Sequence, residues 1–134
     1  MNKKDFVRSS ELCDSVLSTY PISLTCNYYK GISLHYDHPD SKDYTRYRDR
    51  YIKLVIAILS SGNGLTCKTG FKTISVSDEY QIIYVQFKIE QFNSQSLVEE
   101  CDLLNVKPST YWPNKEIYFD ASEILRKEAE LFRK

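Results

Sequence analysis

Between residues 44 and 60 the apolar side chains return every three or four positions, and no other stretch constrains the fold as much. Tyr44, Tyr47, Tyr51, Leu54, Val55, Ile58 and Leu59 fall on one side of a helix. Gly62 follows where such a helix is expected to close in a left-handed cap. Covering Leu54, Val55, Ile58 and Leu59 would contribute roughly 6 to 12 kcal/mol before chain entropy is subtracted, so the segment needs a surface to lie against.

The flanking sequence supplies that surface by pattern. Ser9 or Ser10 can cap a helix carrying Leu12, Cys13, Val16, Leu17 and Tyr20, ended by Pro21. ISLTCNYY, residues 22–29, alternates apolar and polar positions; Lys30-Gly31 reads as a turn, and Ile32, Leu34 and Tyr36 resume the alternation. Two further strands are expected at about 65–77 and 80–89, the second apolar on both faces. Ser96 and Glu99 form a capping-box pattern before a short helix with Leu97, Val98, Cys101 and Leu104. A brief strand, 116–119, precedes a last helix opened by Asp120 and Glu123, with Ala121, Ile124, Leu125, Leu131 and Phe132 inward. The predicted class is α+β: an antiparallel sheet from two β-hairpins with helices mainly on one face, in the order α-ββ-α-ββ-α-(β)-α.

At 134 residues, with four glycines and four prolines at isolated turn positions, the chain is expected to be a single globular domain, 1–134. Eighteen basic residues balance eighteen acidic ones, so no global field draws the protein to a polyanion. The opening MNKKDFVRSS has no apolar run of signal length after it, and the longest such run, 54–59, is far below a membrane span. Cys13, Cys26, Cys67 and Cys101 show no paired short spacing and read as reduced thiols in a cytoplasmic protein without membrane association, a disulfide framework being the alternative.

The densest chemistry is HYDHPD. His35, Asp37 and His38 offer imidazole and carboxylate donors to a metal, but a closed site needs further ligands and the sequence holds no other histidine. The structural alternative places these residues at a polar strand face and a turn. Ser61-Gly62-Asn63-Gly64 lacks the spacing and the Lys-Ser/Thr pair of a P-loop. No serine lies in a nucleophile-elbow context, no cysteine lies close in sequence to a histidine, and no cofactor motif is present.

Lys42 to Lys53 carries five cations against two acids, with three tyrosines interleaved. Tyr and Arg cover large apolar areas while keeping polar ends, which suits a binding surface; a solvated helix face extending the core stripe is the plainer reading. Residues 90–134 hold nine acids against six bases. Tyr44, Arg46, Tyr47, Arg48 and Arg50 are therefore candidate partner-binding residues at one pole, and Glu99, Glu100 and Asp102 at the other. Trp112, beside Tyr111 between two prolines, is either an exposed anchor or a core plug. Together these features predict a monomeric or homodimeric protein-binding module that inhibits or stabilises one partner, as a bacterial or phage immunity or antitoxin-type inhibitor does for a toxin or effector. The alternatives are a nucleic-acid module reading through 42–53, a secretion-chaperone-like dimer, and a small His-dependent or metal enzyme.

Overall fold

The computed structural model describes residues 3–133 as five helices and a four-stranded mixed sheet, which makes the chain α+β. It divides into two compact units, Met1–Ile56 and Ala57–Lys134.

The first unit is helical. α1 (Lys3–Thr19) begins well before the serines expected to cap it, and Ser10 is a buried mid-helix residue. α2 (Leu24–Asp37) stands where a hairpin was predicted. Ser23 decides this locally: its hydroxyl accepts from Cys26 N at 3.2 Å and satisfies an amide of the first turn. The residues α2 buries, including Leu24, Asn27 and Gly31, keep helical spacing, while the period-two alternation of the large side chains is incidental. α3 (Lys42–Ser60) is the predicted central helix, its first turn capped by Ser41, whose Oγ accepts from Tyr44 N at 3.0 Å. The Cys13–Cys26 disulfide and the Lys30–Asp14 ion pair at 2.7 Å tie α2 to α1.

The second unit carries the sheet, in the order β1-β4-β3-β2. β1 (Phe71–Lys72) runs parallel to β4 (Glu116–Asp120), and β3 (Cys101–Val106) is antiparallel to β4 and to β2 (Phe92–Val98). The predicted strand 65–77 shrinks to β1. The predicted strand 80–89 is instead the end of α4 (Val76–Gln81) running into a π-helical turn, Ile82–Gln86. Ser75 starts this helix by accepting from Asp78 N at 3.3 Å, and Ile82, Ile83, Phe87 and Ile89 are all buried, an apolar run that periodicity alone cannot assign to strand or helix. The predicted helix at 96–104 is the β2–β3 hairpin, turning on Glu99-Glu100 with Val98 opposite Cys101. β4 matches the brief predicted strand. α5 (Ser122–Phe132) matches the last helix, with Ser122 N donating to Asp120 Oδ1 at 3.0 Å, but Leu131 and Phe132 are exposed rather than inward.

The core of this unit is aromatic at one end. Trp112 stacks on Phe87 with centroids 5.1 Å apart and meets Phe71 edge-on, and Phe71 packs on Phe119. Such pairs add about 0.5 to 1.5 kcal/mol each beyond their buried area. Gly64 permits the cluster: its φ is +71°, and a Cβ there would overlap the Phe71 ring. Gly62, expected to be the left-handed cap, is not left-handed; a Cβ there would overlap the backbone carbonyls of Thr69 and Gly70.

All four cysteines are paired, Cys13 with Cys26 and Cys67 with Cys101, which corrects their reading as reduced thiols. The spacing along the chain concealed both bridges, because each joins elements that only folding brings together. No described helix is long and apolar enough to cross a membrane.

Candidate functional site

A cleft in the helical unit gathers the aromatic and cationic side chains singled out above. The loop 38–41 returns the chain so that α3 runs back along α2, with side chains three and four apart on each helix meeting in rungs. Tyr28 faces Tyr51 with ring centroids 5.2 Å apart, and His35 faces Tyr44 at 5.3 Å. Between these rungs Gly31 lies against Arg48, where an added Cβ would stand 3.9 Å from the Arg48 amide nitrogen. The absent side chain leaves a cleft of about 230 Å³ bounded by the two rungs, with Ile32 and Asn27 completing its lining. Ligand pockets span about 300 to 1,000 Å³, so this cleft suits a single ring or side chain rather than a whole drug-sized molecule.

Its electrostatics are mixed. Burial, then the neighbouring phenols of Tyr51, Tyr29 and Tyr36, raises the Tyr28 hydroxyl above its usual value and keeps it a neutral donor. Arg48 lies over the Tyr44 ring at 5.6 Å and pairs with Asp49 at 3.2 Å, half exposed at the mouth. Arg46, Arg50 and Lys30 all lie within 6 Å of the Tyr47 ring centroid, making that phenol the centre of a cationic rim. Asn27 is fully buried: its Nδ2 donates to Pro21 O at 3.0 Å and Ser23 O at 2.7 Å, while its Oδ1 has no hydrogen-bond partner.

Residues 1–130 match the family described as a domain of unknown function, DUF4919. The chain belongs to the DUF4919 family. No curated protein and no solved structure matches it.

The remaining candidates of this DUF4919 domain are dispersed. His35 joins the cleft wall, whereas His38 follows the end of α2 and donates its amide to Leu34 O. Among the described residues no three side chains of metal-binding type gather into one group. Glu99 and Glu100 are exposed at the β2–β3 turn. Trp112 is buried, its Nε1 donating to Glu116 O at 3.2 Å, so the core plug is the arrangement found.

Asp102 parts from its acidic neighbours and turns toward α4, where it meets a residue that the sequence reading passed over. Glu79 is fully buried, with Thr73 Oγ1 3.5 Å from its Oε1. Burial first, then hydrogen bonding and charge from Asp102, pushes the Glu79 carboxyl up to about 9. Glu79 is therefore a neutral acid near pH 7. One residue on, Tyr80 donates to Gln95 Oε1 at 2.7 Å, a second polar tie between α4 and the hairpin. The available signal was Ser75 three residues before Asp78: a helix start there carries Glu79 along with a buried apolar run.

Proposed function

We propose that this DUF4919 chain is a protein-binding module that holds an acidic partner segment on the α2–α3 surface. One observation carries the reading: Tyr28, His35, Tyr44 and Tyr51 frame an open cleft whose mouth bears Arg48. Rigid aromatic walls beside arginine are the composition of binding hot spots, because they present area at low entropic cost while the guanidinium selects a carboxylate. The charge balance favours an acidic partner. Residues 1–56 hold nine Lys and Arg against seven Asp and Glu, and the 42–53 stretch, with five against two, accounts for the whole of that excess while the rest of the unit is slightly acidic.

Inhibition or stabilisation of the partner, in the manner of an immunity or antitoxin protein, remains part of the proposal, as does a partner drawn from toxins or effectors. The two disulfides favour an oxidising compartment for this activity over the cytosol.

The test is a comparative pull-down from native cells, with oxidised wild-type protein and a Tyr44→Ala/Arg48→Ala variant as baits at two salt concentrations. One protein retained by the wild type and lost from the variant supports the reading. Equal retention by both baits overturns it, and salt-labile nucleic acid as the sole capture would transfer the surface to the nucleic-acid alternative.

A further inference from the structure

Arg48 belongs to the middle of the cleft rather than to either end. On α3 it falls between Tyr44 and Tyr51, and the position facing it on α2 is Gly31, between Tyr28 and His35. Tyr28 and His35 stand two helical turns apart, about 10 Å along the axis, so the two rungs close the cleft at both ends and leave an opening of roughly one residue's width. Asn27 holds this wall in place, its Nδ2 donating to Pro21 O and Ser23 O at the start of α2. The Arg48 side chain is half exposed, and its Nε and Nη2 both donate to Asp49 Oδ1, at 3.3 and 3.2 Å. A guanidinium carries five N–H donors, so three remain beyond that pair, and an exposed pair of this kind is weak enough to yield to a better placed carboxylate.

We propose that the α2–α3 cleft captures the C-terminal residue of the partner: an apolar side chain of phenylalanine or leucine size fills the space between the rungs, and its own α-carboxylate accepts from Arg48. This deepens the reading of an acidic partner and rests on it. Three features select the occupant. The volume of about 230 Å³ admits one side chain, and the tyrosine, histidine and isoleucine lining favours an apolar one. Apolar space and cation lie within the span of a single residue, so the ligand must carry its hydrophobic group and its negative charge on the same residue. In a peptide only the last residue joins an apolar side chain to a carboxylate, whereas an acidic neighbour sets its charge at least one residue, about 3.5 Å, further along the chain. Acidic side chains upstream of the terminus then meet Arg46 and Arg50 beside the Tyr47 ring. Gly31 sets the room available: a Cβ there meets nothing nearer than 3.9 Å, so alanine fits the backbone while narrowing the space for a side chain.

The experiment uses the full oxidised chain and three N-acetylated peptides: Asp-Glu-Asp-Gly-Phe with a free carboxylate, Asp-Asp-Glu-Asp-Gly-Phe as the C-terminal amide, which has the same net charge, and Asp-Glu-Asp-Gly-Ala with a free carboxylate. Binding is followed by two-dimensional NMR, reading the Gly31 and Tyr51 backbone signals and the Arg48 Nε–H. The phenylalanine acid is expected to shift these signals and to bind about tenfold to a hundredfold more tightly than the amide, the usual worth of a charge-assisted hydrogen bond. Arg48→Gln is expected to bring the acid down to the affinity of the amide while leaving the amide unchanged, and Gly31→Ala is expected to weaken the phenylalanine acid but not the alanine acid. Equal affinity for acid and amide overturns capture of a chain end and leaves acidic docking standing. A preference for the acid that survives Arg48→Gln overturns the assignment of the carboxylate to Arg48. Equal affinity for the phenylalanine and alanine acids overturns the cleft as the seat of the side chain. No binding of any peptide overturns the capture of a terminus and the acidic-partner reading together.

Discussion

Glu79 on α4 keeps its proton beside Asp102 on β3, with Thr73 Oγ1 3.5 Å from Glu79 Oε1. Burial of Glu79 and the nearby Asp102 both favour the neutral form of the glutamate. The second unit thus contains a titratable joint between its short helix and its hairpin.

Stability should fall as pH rises. Glu79 releases its proton near 4.5 in an unfolded chain and at about 9 in the folded one, so the folded state holds the extra proton throughout that window. The slope reaches at most about 1.4 kcal/mol per pH unit and levels off above the folded value. Urea unfolding of the oxidised protein at pH 5, 7 and 9 should show the midpoint moving down. Glu79→Gln, which keeps the shape and a donor toward Asp102, should flatten the trend and exceed the wild type in stability above pH 8. A pH-independent wild type would show that the pair is not buried in solution.

Opening the bridges should cost more at Cys67–Cys101 than at Cys13–Cys26. Chain-entropy arguments assign about 4 kcal/mol to the former, with a separation of 34 residues, and about 3 kcal/mol to the latter, with 13. Paired Cys→Ala variants compared by chemical denaturation give the ranking. Intact mass under non-reducing conditions should show no free thiol.

Glu99 adopts a left-handed backbone, φ +57°, at the hairpin turn. A side chain in that region costs about 1 to 2 kcal/mol, so Glu99→Gly should stabilise the protein by about 1 kcal/mol after the entropy of the freer unfolded chain is deducted. Thermal unfolding reads the gain.

Gly64 predicts the reverse. Gly64→Ala sets a Cβ against Phe71 at a left-handed position, combining backbone strain with overpacking, and should cost about 2 to 4 kcal/mol. Trp112, the single tryptophan, sits in that same ring cluster, so its fluorescence should report the loss directly.

Where the sequence spoke clearly, one periodicity ran long enough to exclude others. α3 was legible because seven large side chains from Tyr44 to Leu59 hold helical spacing, and with it came the clustering of Tyr44, Arg46, Tyr47, Arg48 and Arg50. α2 was not, since the positions it buries include Asn27, Gly31 and Ser33, which carry little hydrophobic signal, while its larger side chains alternate by chance. The β2–β3 hairpin hid behind Ser96 and Glu99, whose spacing also fits a helix cap, and only pairing with β4 on the far side of β3 decides the matter. Asn27 and Glu79 were invisible for a related reason. Each matters through what surrounds it after folding, a cleft lining in one case and a carboxylate from another element in the other.

β2 bounds the sheet on one side, and its seven residues, FNSQSLV, carry no charge. Such a strand offers its outward amides and carbonyls as a template for another chain, and nearby charge is one of the few brakes on that recruitment. Here the brake is Glu99 and Glu100 at the tip. Relaxing the turn with glycine removes half of it, so the substitution that best suits the single molecule is also the one that leaves a crowded solution most open to growth by strand addition.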